Sequence, residues 1–372
     1  MKTILLILLT TSLFALDDFE LMTLAYKHNL RPVPNDLESL RVEFKMSQEE
    51  LSQEKITLGK KLFFEKDLSL GKDISCATCH SFELGGADGK PTAIGHLGQK
   101  NPFHLNTPTV LNSVFSKYYF WNGRSNTLSD QAKGPLQAPF EMSITPELAQ
   151  KRIAGKKEYV DLFQKAYGSG DITFEKIADA IATYEKTIVT RGRYDDYLLG
   201  YVDALSQNEK EGLELFITKG CVGCHNGVGL GGEVMRKFPL VYHKAWSMDT
   251  PKHVQKLFAD GYLDKNEEGK CTDCHSGDSH KVKEELLTKT AFPFENKGEF
   301  LGANNKKYFR VPLLRNVVRT KPYFHNGSVE KLEDAIKLMG IHQLRIKLDD
   351  QEIQKIISFL KAVDGEVVNF IK

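Results

Sequence analysis

The chain is 372 residues long and sets 50 Lys and Arg against 49 Asp and Glu, a formal net charge of +1. That balance lacks the basic footprint of a nucleic-acid-binding protein, so no nucleic-acid partner is expected. Hydrophobic residues make up 41 % and aromatics 10 %, which excludes a disordered chain and suits two domains with buried cores.

Residues 1–15 open with Met1-Lys2, run through Ile4-Leu5-Leu6-Ile7-Leu8-Leu9 and close on Ala15. One positive charge, a short apolar core and a small residue before Leu16-Asp17-Asp18 describe a secretory signal peptide. The apolar run is shorter than the roughly 20 residues that cross a bilayer, so no membrane span is expected. Leu13 fits a cleavage site poorly, and an uncleaved anchor is the alternative. The implied localisation is the periplasm.

Helix punctuation recurs down the chain. Ser47-x-x-Glu50, Ser206-x-x-Glu209 and Asp349-x-x-Glu352 read as capping boxes, and Thr145-Pro146-Glu147 as a cap with proline at the first helical position. Ile177, Ile181, Tyr184 and Ile188 make one apolar helical face; Ile353, Ile356, Ile357 and Leu360 make another. No long alternating stretch argues for a sheet. The expected fold is mostly α with long loops.

All six cysteines fall in three copies of one pentapeptide: Cys76-Ala77-Thr78-Cys79-His80, Cys221-Val222-Gly223-Cys224-His225 and Cys271-Thr272-Asp273-Cys274-His275. C-x-x-C-H is the attachment signature of c-type haem. Two thiols one helical turn apart can each add to a vinyl group of one porphyrin, and the adjacent imidazole then ligates its iron. Zinc or a redox dithiol would suit a single copy, but three copies with no cysteine left over point to a multi-haem protein.

The first two motifs lie in an internal repeat. Gly59-x-x-Leu62-Phe63 precedes Cys76 and Leu84-Gly85-Gly86 follows His80; Gly212-x-x-Leu215-Phe216 precedes Cys221 and Leu230-Gly231-Gly232 follows His225. Each unit reads as a helix, a haem-binding turn and a glycine loop. Two cytochrome c-like haem domains follow, residues 16–200 and 201–372. The third motif sits in a polar stretch, 243–306, read as a small haem-bearing insertion in the second domain. His243, His253, His280, Met235 and Met248 are its candidate sixth ligands, with His253 preferred.

The chain resembles the bacterial di-haem cytochrome c peroxidases. The likeness is carried by Gly85-Gly86-Ala87-Asp88-Gly89 with Gly95-His96, Asn106-Thr107-Pro108-Thr109, Phe120-Trp121-Asn122-Gly123-Arg124, Gln131-Ala132-Lys133-Gly134-Pro135, Phe309-Arg310-Val311-Pro312 and Pro322-Tyr323-Phe324-His325-Asn326-Gly327-Ser328. Ordinary members carry two C-x-x-C-H motifs, so the third is a departure. The resemblance implies peroxide chemistry at the haem on Cys76, Cys79 and His80. It implies electron entry at the haem on Cys221, Cys224 and His225, with Met339 as the second axial ligand. His96 matches a distal histidine that closes the first iron until the other haem is reduced. Gln131 and Glu141 match the distal pocket, with Glu141 as the acid-base group, and Trp121 matches an aromatic between the haems, core packing being its rival role. His325 has a structural or interhaem role in this scheme. Asn106, Thr320 and Pro322 match the ligands of an interdomain calcium ion.

The activity implied is hydrogen peroxide reduction by a small c-type cytochrome, in a homodimer. A MauG-type oxidase of a protein substrate shares the scaffold but carries tyrosine where Met339 stands. A pure electron-transfer cytochrome needs no acid-base pocket such as His96, Gln131 and Glu141 imply.

Overall fold

The computed structural model describes residues 16–239, 300–304 and 306–370. In chain order the helices of the first half are α1 (Asp18–Lys27), α2 (Leu37–Glu43), α3 (Gln53–Phe63), α4 (Cys76–Cys79), α5 (Leu128–Gln137), α6 (Pro146–Ala154), α7 (Lys157–Tyr167) and α8 (Phe174–Glu185). Those that follow are α9 (Arg193–Leu198), α10 (Gln207–Thr218), α11 (Leu332–Met339) and α12 (Asp350–Val363). Among the described residues, strand is confined to short antiparallel pairs: β1 (Thr190–Arg191) with β4 (Glu366–Val367), and β2 (Met235–Lys237) with β3 (Tyr308–Arg310). The mostly helical, loop-rich expectation is met.

Two hydrophobic cores are built the same way, by one helix before a C-x-x-C-H turn crossing a helix far downstream. In the first, α3 lies on α8; a Cβ on Gly59 would stand 1.8 Å from the Ala180 carbonyl oxygen. In the second, α10 lies on α12, and a Cβ on Gly212 would stand 2.0 Å from the Lys355 carbonyl oxygen. Glycine is therefore required at each crossing because backbone meets backbone. The aromatic four residues on seals each crossing, Phe63 against Tyr184 at 5.4 Å and Phe216 against Phe359 at 5.2 Å between ring centroids.

Capping follows the sequence at α6, α10 and α12, where Thr145, Ser206 and Asp349 begin the helices, the last two as reciprocal boxes with Glu209 and Glu352. Ser47 and Glu50 also exchange both bonds, but they close a turn, and α3 starts later under Ser52. A capping box satisfies two amides without supplying an apolar face, and only Leu51 of the four residues after Ser47 is buried.

The first helix packs away from its neighbours in sequence. α1 belongs to the second core, where Leu21 and Ala25 are buried with Tyr194, Tyr197 and Phe216. The Tyr26 hydroxyl donates to the Leu198 carbonyl at 2.8 Å, and Lys210 pairs with Asp18 at 2.7 Å. The apolar surface that accepts α1 is made by residues far downstream.

Buried polar groups tie distant parts of the chain together. Asp195 and Arg315, both fully buried, form a bidentate pair at 2.8 and 2.9 Å. The Asp195 carboxylate also accepts the Val33 and Gly192 amides, and Arg315 Nε donates to the Val228 carbonyl. Beside this pair, Asn112 Nδ2 donates to Thr190 Oγ1 at 2.8 Å, and Thr190 Oγ1 donates to Asn316 Oδ1 at 2.5 Å.

Candidate active site

Cys76 and Cys79 lie on α4, the single turn after Ser75, and His80 ends it. The His80 ring is fixed by a 2.9 Å bond between Nδ1 and the Gly86 carbonyl. That carbonyl is presented by a loop in which Gly85 and Gly86 take φ of 68° and 80°, a conformation that favours glycine. With Nδ1 engaged, Nε2 is the atom left for a metal. His225 repeats the device, its Nδ1 3.2 Å from the Leu230 carbonyl. Burial depresses both imidazoles, His225 to about 4, so each ring is neutral and ready to ligate.

A cavity of about 500 Å³ opens on the first motif. Cys76, Cys79, His80, Gln131, Glu141 and Trp121 all line it, so the structure assembles most of the site expected on this side. Gln131 comes from α5 and Glu141 from the turn after it. Burial raises the Glu141 carboxyl above its ordinary range, with the Arg124 guanidinium pulling the other way. Arg124 itself lies over the Phe120 ring, 3.3 Å from its centroid.

His96 stands at the rim. Gly95 lines the cavity, and the His96 amide donates to the Glu141 carbonyl at 2.8 Å. The His96 side chain is not among the lining groups, and its buried Nδ1 has no hydrogen-bond partner. A Cβ at Gly95 would stand 2.2 Å from the Phe140 carbonyl oxygen, so the histidine loop lies directly on the segment that carries Glu141.

A second, smaller cavity of about 180 Å³ is lined by Cys221, Cys224, His225 and Met339. Met339 is the last residue of α11. Trp121 and Arg310 line both cavities. The Trp121 indole N–H donates to the Asn106 carbonyl at 2.8 Å, and the Asn106 amide donates to the His325 carbonyl at 2.8 Å. The His325 ring meets Trp121 edge-on at 6.3 Å and stacks on Phe309 at 4.5 Å. Cofactors of the c type fit both cavities: each offers two cysteines, an oriented neutral imidazole and an apolar wall.

A second internal repeat, missed in the sequence, relates the cavities. Tyr119-Phe120-Trp121-Asn122-Gly123 and Tyr323-Phe324-His325-Asn326-Gly327 lie a constant 204 residues apart. Phe120 and Phe324 both take positive φ, 60° and 70°, and Asn112 and Asn316 take 63° and 60° at the same spacing. The spacing carries Pro135 on α5 onto Met339 on α11. Where the second cavity has a thioether, the first has a ring with no donor atom. The shared Y-F-x-N-G string was the available signal.

Asn106 Nδ2 donates to the Lys90 carbonyl at 2.7 Å. Thr320 Oγ1 donates to the Val317 carbonyl, and Pro322 is buried. Among the described residues no cluster of three or more His, Cys, Asp or Glu forms a metal site. The third motif (Cys271, Cys274, His275) lies outside the described residues, as do His243, Met248, His253 and His280. Met235 is described on β2, with its sulfur 2.7 Å from where a Cβ on Gly123 would sit. No helix among the described residues is long and apolar enough to cross a membrane.

Residues 53–203 match the di-haem cytochrome c peroxidase family. Cytochrome c551 peroxidase of Pseudomonas aeruginosa is 36 % identical over 339 residues, covering 90 % of this chain and 84 % of that protein. The enzyme of the same name from Nitrosomonas europaea is 36 % identical over 84 % of this chain and 80 % of its own length. A solved MauG-like protein associated with microbial copper homeostasis superposes with a TM-score of 0.63 at 25 % identity, covering 91 % of this chain and 94 % of that one. With two cavities that each join a C-x-x-C-H turn to an oriented histidine, and with relatives this similar over nearly its whole length, the chain belongs to the di-haem cytochrome c peroxidases and is an enzyme of that class.

Proposed function

We propose that this protein reduces hydrogen peroxide in the periplasm with electrons from a small c-type cytochrome: H2O2 + 2 e⁻ + 2 H⁺ → 2 H2O. The observation that carries the reading is the asymmetry of the cavities. Only the one with Pro135 in place of a thioether is also lined by carboxyls, Glu141 and Glu185, and Gln131 adds a side-chain amide there.

Haem c, when bound, supplies the redox-active iron at each site. Glu141 takes the proton from one peroxide oxygen and returns it to the other, a task suited to a carboxyl whose affinity for protons is raised by burial. Gln131 orients the peroxide through its amide, and the cavity wall excludes water. His96 is the latch: because its amide bonds the Glu141 carbonyl, its movement also resets the acid. Met339 and His225 would hold the iron of a haem in the second cavity, and the thioether would favour its reduced state. Trp121, which lines both cavities, carries electrons between them. A pure relay cytochrome leaves Glu141 and Gln131 without a task, and the methionine separates the chain from a MauG-type oxidase.

Calcium at Asn106, Thr320 and Pro322, a homodimer, and a third haem on Cys271, Cys274 and His275 complete the reading. Side-chain and backbone oxygens suit a hard cation, and the Asn106–His325 bond sets that loop against the segment carrying Thr320 and Pro322. The third haem serves as an added electron port; the segment that bears it leaves the described fold just after Phe238, which lines the second cavity.

The test is steady-state oxidation of reduced cytochrome c by peroxide in haem-loaded protein. Wild type turns over, and Glu141→Gln retains ligand binding but loses about 10²–10⁴ in rate. Unimpaired turnover in that variant removes Glu141 from the mechanism.

A further inference from the structure

The two cavities share a wall. Trp121 and Arg310 line both, whereas Cys76 and Cys79 line only the first and Cys221 and Cys224 only the second. Trp121 has a task in the chemistry above; Arg310 has none. Arg310 ends β3, where its backbone N–H donates to the Trp121 carbonyl at 2.9 Å. It is 4 % exposed, and its Nε has no hydrogen-bond partner.

A buried guanidinium without an anion is costly, and a carboxylate is the anion that suits it best. Burial pulls Arg310 down to about 10, so it stays a cation at neutral pH. Among the described residues, the ionisable group whose charge reaches it is Tyr119. That phenol does not serve as the anion: burial pushes it up to about 12, and its hydroxyl donates to the Ser116 carbonyl at 3.0 Å. The buried carboxyl of Glu185 lies by Cys76 instead, whose thiol feels its charge. A c-type haem brings two propionates, on the side of the porphyrin away from its vinyl groups. None of the four cysteines above is on the shared wall, so that wall is open to the propionate edge of each porphyrin. A guanidinium has five N–H donors in a planar fork, enough for a carboxylate from each side.

We propose that the Arg310 guanidinium is a counter-charge common to the first and second haems, pairing with a propionate from each cavity and raising both reduction potentials. Arg310 is thus a cofactor-binding residue shared by the two sites. The proposal rests on haem occupancy of the two cavities and not on peroxide as substrate.

The experiment compares the haem-loaded full chain with Arg310→Gln and Arg310→Lys. In spectroelectrochemical titrations both potentials should fall in Arg310→Gln, because a cation that favours the reduced iron is gone. They should fall less in Arg310→Lys, which keeps the charge. In resonance Raman spectra the propionate bending modes of both haems should shift in Arg310→Lys as well as in Arg310→Gln, since an ammonium does not reproduce the planar fork. Lost packing alone would not grade the potentials with charge. The proposal is overturned if either haem keeps its wild-type potential in haem-replete Arg310→Gln, for then the charge is not shared. It is equally overturned if the two variants lower the potentials alike. If Arg310→Gln does not fold, the Raman comparison of Arg310→Lys with wild type decides, and an unmoved propionate mode at either haem overturns the proposal. Wild type without peroxide turnover, with both shifts present in the variants, would count against the peroxide reading and leave this one standing.

Discussion

At Glu141 two forces oppose each other: burial lifts the carboxyl and the Arg124 guanidinium lowers it, with burial the larger. The acid-base role requires the carboxylate at the start of the reaction. Peroxide reaction rates should therefore fall as pH drops through a value above the ordinary glutamate figure of about 4.3, and Glu141→Gln should lose that limb. Stopped-flow rates across pH check it. Glu185 gives a stability prediction of opposite sign to the usual carboxylate. Its folded value, about 8, lies above the ordinary 4.5. Below 4.5 both folded and unfolded chains hold the proton and there is no penalty. Between 4.5 and 8 only the unfolded chain releases it, so stability declines with rising pH through that window. Denaturation midpoints measured across it should show a shallower decline in Glu185→Gln. The pocket position of Glu141 was anticipated from the resemblance, while the burial of Glu185 was not legible from sequence. Tyr184-Glu185-Lys186 reads as the solvated end of a helix, and only the fold places Glu185 against a cavity.

The helices were read well where a local rule governs them. Gly59 and Gly212 were visible as repeat positions, and the structure supplies the reason, a carbonyl oxygen within 2.0 Å of any added Cβ. Gly212→Ala should force α10 from α12 and destabilise the second core by about 1–3 kcal/mol, well beyond the helix-propensity gain of alanine. Chemical denaturation of the haem-loaded chain measures it, and a neutral or stabilising outcome would contradict the close crossing. Met339 ends α11 at the position that Pro135 occupies on α5, and Met339→Ala should lower the potential of the second haem in a redox titration. That equivalence escaped the sequence reading because the strings that carry it are loop strings, Y-F-W-N-G and Y-F-H-N-G, and helical periodicity ignores them. α1 escaped for a different reason. Its buried positions, Leu21 and Ala25, state that a partner exists without saying which.

Across the whole molecule, the two C-x-x-C-H motifs announced two haem sites, while the buried polar pairing was hidden. The second core encloses Asp195 and Arg315, which are ordinary charges in sequence and fully buried in the fold. Asp195→Ala leaves a buried guanidinium without its partner and should cost roughly 3–5 kcal/mol, read as a lowered denaturation midpoint. The third motif belongs to this scale as well. In Cys271→Ala/Cys274→Ala, an electron port predicts slower turnover with the physiological donor but an unchanged peroxide reaction of pre-reduced protein; equal donor turnover leaves the third haem a staple for its own segment.

The Asp195 carboxylate has a consequence for the order in which the chain is assembled. It gathers the Val33 amide from 162 residues upstream and the Arg315 guanidinium from 120 residues downstream. The N-terminal part of the fold is thus among the last to find its place. The core around Cys76, whose partners lie between α3 and α8, can close from one continuous stretch of chain; the core around Cys221 must wait for both ends of the polypeptide. Contacts so distant in sequence form slowly. Refolding of the unfolded chain should therefore close the core around Cys76 before the core around Cys221.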